Sequence, residues 1–462
     1  MVQLSFEVYD NFPACEPTLQ RLAQRLQHPN PFLQPEWLNL WWEYFGAGKS
    51  LYIMVCRHNG EAIGYAPFYR IYRSALGLHE YYLLGDGYSS YLDLACPQGY
   101  EDTFLSALFL HFQNLSSGAI VQFRDINNRF SYFYQALENA WKQKLNNGMC
   151  FNLYSCPLVT FAGNWDEFYK NRHGSKARKN LRRKIERLTQ TLGSFCFRRV
   201  TDPGELDYLL PHLERMHGER FTKTVNIVLK GQKLLLLRSA LSKMLNDNLY
   251  LFVSELDNCP ISFLIGFKMG ATFIAFIMAF DPAFSLLALG HVQLIRIMEA
   301  INQEGYTVFD FSKGDAEYKR YWSNAETTSH MFRFGFQLSR PGQMYYRLLN
   351  GTLEALVYLR HQGYNRTIKH WLARLRQGDL LRKEASAVKI EELKDQVGVT
   401  RPEDYPEWSY RIIRGLSPEV RSAIIKCVIK TETSQLRVDH RPQQRTVTLI
   451  PPTGAEGYRI RY

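Results

Sequence analysis

From Phe309 to Trp322 the sequence reads Phe-Asp-Phe-Ser-Lys-Gly-Asp-Ala-Glu-Tyr-Lys-Arg-Tyr-Trp. An apolar strand is expected to end at Asp310 in a glycine loop. A short helix bearing Tyr318, Lys319 and Trp322 is expected to follow. In open α/β sheets ligands gather at the carboxyl ends of strands. Asp310, Tyr318 and Lys319 would there supply an acceptor, a phenol and a cation near one point. The plainer reading makes Asp310 a loop cap and Lys319 a surface residue. Just upstream, Phe280-Asp281-Pro282 leaves a strand, and Leu289-Gly290-His291-Val292-Gln293 opens a helix. A glycine at a helix start lets an anion approach backbone N–H groups that lack intrahelical partners. His291 reads more readily as a capping or packing residue than as a base.

The elements that must position these groups repeat within the chain. Leu51-Tyr52-Ile53-Met54-Val55 is echoed by Leu249-Tyr250-Leu251-Phe252-Val253, and at the same offset Ile63 falls on Ile261. Each window reads as strand, tight polar turn, strand, with His58-Asn59-Gly60 and Asp257-Asn258-Cys259-Pro260 as the turns. Each half continues with a helix (Glu101 to Asn114, Gly290 to Gln303) and a strand (Ala119 to Arg124, Thr307 to Phe311). This predicts a duplicated α/β unit with the join near residues 150–165 and the cleft between the lobes. Between the halves, Lys170 to Arg187 holds nine Lys or Arg and one acid, Glu186. With Leu181, Ile185 and Leu188 on one stripe it reads as a single basic helix. That helix is either a solvated face or a contact for phosphate or polyanion.

The 462 residues suggest about three domains. With 46% hydrophobic and 22% charged residues, the chain can build ordinary cores. The net charge of +12 suits anionic partners without choosing among them. Eight scattered cysteines show no metal spacing, and no metal is expected. They read as reduced buried thiols, and no signal peptide opens the chain, so a cytoplasmic location is expected. The longest apolar stretch, Ala271 to Leu289, is broken by Asp281-Pro282 and is not read as a membrane span. Met344 to Arg376 has helical apolar spacing among basic residues. It reads as a packing helix or, with Trp371 and Leu375, as a contact for the inner-membrane surface.

Further motifs complete a set: Asn30-Pro31-Phe32-Leu33-Gln34-Pro35-Glu36-Trp37, Leu40-Trp41-Trp42, Gly64-Tyr65-Ala66-Pro67-Phe68-Tyr69, Arg178-Lys179-Asn180-Leu181-Arg182-Arg183, Leu213-Glu214-Arg215-Met216-His217 and the Phe309–Trp322 block. Over about residues 25–340 this set resembles the CelD-like acetyltransferases of the GNAT superfamily, related to the Fem-type peptidyltransferases. The resemblance implies an α/β (α+β) fold of tandem GNAT-like lobes, with mixed sheets flanked by helices. The lobes would span 1–160 and 161–342, followed by a basic amphipathic helical segment at 343–376 and an extension at 377–462 of no assigned role. It further implies acyl-CoA, typically acetyl-CoA, as donor in the second lobe, at Phe280, Leu289, Gly290, His291 and Gln293. Lys319, Tyr318, Asp310 and His217 would be catalytic, and Arg220, Asp315 and Trp322 would bind the acceptor. Ala288-Leu289-Gly290 stands where the family often has Ser-Pro-Gly. The implied activity is N- or O-acyl transfer to a sugar, polysaccharide or cell-envelope precursor, with nucleic acid not expected as a partner. Two alternatives stay open: an aminoacyl-tRNA donor in the Fem manner, and a non-enzymatic basic scaffold for nucleic acid or envelope.

Overall fold

The computed structural model describes residues 4–190, 192–220, 229–362, 388–393, 406–431, 436–450 and 457–462. The first lobe runs β1 (Leu4–Tyr9), α1 (Phe12–Leu26), α2 (Pro35–Phe45), β2 (Ser50–His58), β3 (Glu61–Arg73), β4 (Leu78–Leu83), α3 (Glu101–Gln113), β5 (Gly118–Asn127), α4 (Tyr134–Lys142) and β6 (Met149–Thr160). The second runs α5 (Trp165–Arg172), α6 (Ser175–Gln190), β7 (Phe195–Val200), α7 (Leu206–Arg220), α8 (Gln232–Met244), β8 (Leu249–Leu256), β9 (Cys259–Met269), β10 (Thr272–Phe280), α9 (Leu289–Gln303), β11 (Val308–Asp310), α10 (Glu317–Trp322) and β12 (Ala325–Phe336). All twelve strands join one mixed sheet in the order β1-β2-β3-β4-β5-β12-β6-β11-β10-β9-β8-β7, flanked by helices. The fold class is mixed α/β.

The repeated hairpins share register as well as sequence. Tyr52 pairs with Phe68 as Tyr250 pairs with Gly266, and Cys56 with Gly64 as Ser254 with Ser262. Each ladder then breaks at a bulge at the same place, and Ile63 and Ile261 are the bulged residues. Asn59-Gly60 and Asp257-Asn258 all take positive φ, which gives a tight turn whose twist matches the strands. In both lobes the fourth strand runs parallel to the fifth, β4 with β5 and β10 with β11.

The lobes exchange their sixth strands. β6 pairs with β11 of the second lobe, β12 with β5 of the first, and β6 and β12 pair with each other at the centre. Residues 150–165 are therefore mostly central sheet, and the lobes meet along continuous hydrogen bonding. A shared core reinforces this. Phe32 and Trp37 pack on Phe267 at ring distances of 4.7 and 5.0 Å, and the Tyr44 hydroxyl lies 2.7 Å from that of Ser239.

The fourth strands differ in one respect. β10 stays on β9 as far as Phe280, which pairs with Ser262. β4 instead leaves the sheet at Leu83, and the chain returns at Ala95, which exchanges both backbone hydrogen bonds with Tyr65. Leu92 N–H donates to Asp125 C=O on β5, so residues 92–95 close the gap between β3 and β5. Gly64 makes this possible, because a Cβ there would collide with the Ala95 carbonyl oxygen and lie 3.0 Å from Cys96 Cα.

The basic segment is two helices, not one. α5 and α6 break at His173-Gly174, where the buried His173 ring packs on Tyr321 and Trp322 at 4.7 and 4.4 Å. α11 (Arg340–His361) lies against β6 and β12, and its Tyr346 hydroxyl donates to Arg333 C=O. Trp371 and Leu375 lie outside the described residues. Beyond them come β13 (Lys389–Leu393), α12 (Tyr410–Ile413), α13 (Pro418–Thr431), β14 (Arg437–Arg441), β15 (Thr446–Ile450) and β16 (Gly457–Arg461). These strands form a separate sheet, β13-β16-β15-β14. Of the eight cysteines six are buried, Cys150 is half-buried and Cys196 is exposed, which corrects the expectation that all are buried. Among the described residues no helix is long and apolar enough to cross a membrane.

Gly64→Ala tests the closed gap. The methyl meets backbone, which cannot swing aside, so a stability loss of about 2 kcal/mol or more is expected in urea titration. A loss below about 0.5 kcal/mol would show that residues 92–96 can move away.

Candidate active site

β10 and β11 pair over only three residues, Thr272 with Val308, Phe273 with Phe309 and Ile274 with Asp310. β10 then bulges between Ala275 and Ile277 and follows β9, while the chain after Asp310 turns away. The parallel strands thus splay. The opening holds a cavity of about 100 Å³ lined by Ala275, Phe276 and Met278 on one side and Phe311, Ser312 and Lys313 on the other. Leu264, Leu294, Tyr318 and Lys319 complete the wall. Tyr318 also lines an adjoining groove of about 490 Å³, with His291 and Ala288 at the start of α9, Glu317 and Tyr321 on α10, and Ala177, Asn180, Leu181 and Lys184 on α6. Larger cavities, of about 640 and 600 Å³, lie elsewhere, at Asn164–Thr307 and on the first lobe.

The loop after β11 is held from several directions. Asp310 is fully buried and accepts hydrogen bonds from the Tyr91 hydroxyl, at 2.7 Å, and from Ser312 N–H, at 2.6 Å. Burial pushes its carboxyl up to about 6, against the opposing pull of those two donors and of Lys319. The Ser312 hydroxyl meets that of Ser90 at 2.9 Å. Lys313 Nζ donates to Ser89 C=O and pairs with Asp125, both at 2.9 Å. Residues 89–91 and Asp125 belong to the first lobe, so the excursion that leaves β4 ends at the second lobe's splay. Ser312, at φ 57°, and Gly314, at φ 101°, supply the tight loop backbone.

Lys319 is buried rather than superficial. Its ammonium donates to the carbonyls of Ser312 and Lys313 at 3.2 and 2.6 Å, which leaves one of its three donors for another partner. Burial pulls its pKa down to about 8, while Asp310 and Cys156 favour the charged form. Burial raises the Tyr318 phenol, so it keeps its proton at neutral pH. Arg320, one residue on, is exposed, and its carbonyl accepts from Arg172.

The remaining expected residues divide. Arg220 lies over the Phe280 ring at 4.5 Å and donates to Met278 C=O at 3.2 Å, so it closes the end of β10 near Tyr318. Gly290 packs on the same ring, where a Cβ would approach Phe280 Cε1 to 2.9 Å. His291 lines the groove and accepts from Trp322 Nε1 at 3.0 Å. His217 is buried on the last turn of α7, near Arg220, and burial pulls its imidazole down to about 4. Asp315 is exposed on the loop and acts on Lys319 through its charge.

Three expectations need correction. Gln293 is buried and its amide is engaged within the core: Oε1 accepts from Ser254 and Ser262, pinning α9 to β8 and β9. Leu289 is buried in the apolar core, and its neighbour Ala288 lines the groove. Trp322 is fully buried, so its role is to hold His291 rather than to stack on an acceptor. Sequence reasoning missed Tyr91, Ser90, Lys313, Cys156 and Phe276. The Gly-Asp-Gly-Tyr-Ser-Ser-Tyr run at 85–91, just past a strand, was a usable signal for two of them, Ser90 and Tyr91.

Residues 175–320 match the family model of the acetyltransferase (GNAT) domain. The matched segment contains the splay, the start of α9 and Lys319. No curated protein matches the chain. Among solved structures the chain is similar to FemX, at 12% identity and TM-score 0.49, covering 75% of this chain and all of that one. It is also similar to a conserved protein of unknown function from Bacteroides thetaiotaomicron, at 13% identity and TM-score 0.46, over 72% of this chain and all of that one. A tandem GNAT protein from the clavulanic acid biosynthesis pathway aligns at 9% identity and TM-score 0.36, over 71% of this chain and 98% of that one.

The loop that enters α9 is fixed by a buried ionic network. Asp281 accepts from Ala283 N–H, pairs with Arg215 at 3.3 Å and Arg421 at 3.0 Å, and takes a hydrogen bond from the Tyr410 hydroxyl. Arg421, fully buried on α13, also reaches Glu219 at 2.6 Å. The C-terminal module thus holds the approach to the groove.

The Asp310 environment predicts a pH signature. A carboxyl raised by folding holds more protons in the folded than in the unfolded state between its ordinary value, 3.8, and about 6. Its contribution to stability is therefore full below pH 3.8 and lost as pH rises through 6. Asp310→Asn carries no such charge, so its stability relative to the natural protein should improve between pH 4 and pH 7. A difference that stays constant over that range in urea titrations would mean the carboxyl is not desolvated.

Proposed function

We propose that the chain is an acyl-CoA-dependent N- or O-acyltransferase whose donor site is the splay of β10 and β11. The supporting observation is that Tyr318 lines both the groove at the start of α9 and the splay cavity that Lys319 also lines. A helix start offers N–H donors to phosphate. The half-buried Lys184, acting on His291 across the groove, adds positive charge there. The thioester arm would pass Tyr318 and place its carbonyl in the splay. A cavity this small favours short acyl groups such as acetyl.

Acyl transfer needs the oxyanion and the leaving thiolate stabilised. Below about pH 8 Lys319 is an ammonium with one donor to spare, held in place by two backbone carbonyls. It would stabilise negative charge on the acyl oxygen or sulfur. Tyr318, kept protonated by burial, would give its proton to the thiolate. Asp310 has both its oxygens engaged by Tyr91 and Ser312, so we assign it to positioning the loop rather than to taking the acceptor's proton. His217, neutral at physiological pH, remains the candidate for that step, directly or through water. Orienting donor and acceptor supplies much of the rate in any case.

The acceptor class, a sugar, polysaccharide or cell-envelope precursor, rests on the family resemblance. Arg220 and Asp315 are the candidates to meet it. A donor carried on aminoacyl-tRNA draws support from one feature, the exposed row Lys176, Lys179, Arg182, Arg183 and Arg187 on α6. Titrating the protein with CoA and with aminoacyl-tRNA in parallel distinguishes the two. Saturable CoA binding is expected, with tRNA binding that vanishes at physiological salt.

Gly290→Asp places a negative charge at the helix start, opposing the helix dipole. CoA affinity should fall more than tenfold, about 1.4 kcal/mol, in calorimetric titration. An unchanged dissociation constant with the fold intact removes this site.

Lys319→Ala should lower kcat by about 100-fold or more, as for loss of one oxyanion donor, with a smaller change in acceptor KM. In the natural protein kcat should fall as pH rises through 8, where the ammonium is lost. Lys319→Arg should turn over slowly without that fall, because a guanidinium keeps its charge. Arg320→Ala serves as the control and should stay near normal. Equal damage from Lys319→Ala and Arg320→Ala would reduce Lys319 to part of a basic surface.

A further inference from the structure

The cavity of about 600 Å³ on the first lobe has a chemistry unlike the donor groove. Tyr134 and Trp141 on α4 and Tyr358 on α11 give it aromatic walls, and Glu138 and Glu354 face it from the same two helices. Lys142 pairs with Glu138 at 2.8 Å, which leaves one carboxylate in excess in a chain whose net charge is +12. At one wall stands His330, 7% exposed, with its ring 5.0 Å from that of Tyr134. Its Nδ1 lies 3.8 Å from Cys150 Sγ, and its Nε2, buried, has no hydrogen-bond partner among the described residues. Burial lowers its pKa, so the ring is neutral and Nε2 can serve a hydroxyl group in either tautomer.

We propose that this cavity binds a small organic ammonium ion bearing a short hydroxyl arm, an amino alcohol. Aromatic faces attract a cation, and the excess carboxylate supplies the counter-charge. The hydroxyl arm satisfies His330 Nε2. An apolar ligand would leave the buried imidazole nitrogen unpaired, and an anion would meet the carboxylates. None of these residues belongs to the donor groove or the splay, so the two sites are separable.

The test is calorimetric titration with choline, with tetramethylammonium, which lacks the hydroxyl, and with 3,3-dimethylbutan-1-ol, which lacks the charge. Choline should bind at least tenfold more tightly than the uncharged alcohol, and more tightly than tetramethylammonium. Glu354→Gln, on an exposed helix position that should leave the fold intact, should weaken choline at least tenfold and leave CoA affinity unchanged. An ammonium of this kind also occurs as a lipid headgroup. Sedimentation with phosphatidylcholine vesicles separates the sources: choline binding without vesicle binding assigns the free ion, and vesicle binding lost in Glu354→Gln assigns the headgroup. Equal affinity for choline and the uncharged alcohol, or binding of neither choline nor vesicles, overturns the proposal.

Discussion

The structure depends on the point where β10 and β11 part. Three paired residues hold the strands together, and the last of them is Asp310, a carboxylate with no exposure to water. A buried charge is costly unless it is hydrogen-bonded. Its partners, Tyr91 and Ser312, determine how the chain leaves the sheet. The turn that follows aims Lys319 back at the loop carbonyls and sets Tyr318 between groove and cavity. Remove the Tyr91 bond and the carboxylate loses its own contact with the first lobe, leaving Ser312 and Lys313 to hold the loop there.

That dependence gives two similar lobes different work. Both keep the hairpin, its bulge and the parallel fourth and fifth strands. In the second the strands open and leave a cavity. In the first the chain leaves at Leu83, touches the other lobe through Ser89, Ser90 and Tyr91, and returns at Ala95 to fill the gap beside Gly64. The first lobe closes its own opening with the segment that braces its neighbour's. Exchange of β6 and β12 joins the lobes, because each half of the one sheet contains a strand from the other lobe.

The repeat was legible in the sequence because hairpins are local. Asn59-Gly60 and Asp257-Asn258 dictate the turns, and alternation dictates the faces. The Phe309–Trp322 block was legible for the same reason. Contacts set by distant chain were not. Tyr91 and Asp310 stand 219 residues apart, and nothing in either segment names the other. Gln293 looked like a polar residue at a helix start, yet Ser254 and Ser262 turn it inward. His173 interrupts a basic run that reads as one helix, because Tyr321 and Trp322 offer its ring a packing site. The packing of the C-terminal extension was invisible, since its buried Arg421 finds its carboxylate partners, Asp281 and Glu219, in distant chain.

The central claim is that one lobe carries the donor and the other carries none. Hydrogen–deuterium exchange with and without saturating CoA tests it directly. The account predicts slowed exchange confined to β10, the start of α9 and residues 311–321, with the backbone of β4, β5 and α3 unchanged. Protection of β4 and β5 in place of β10 and α9, or of both sets together, would contradict it.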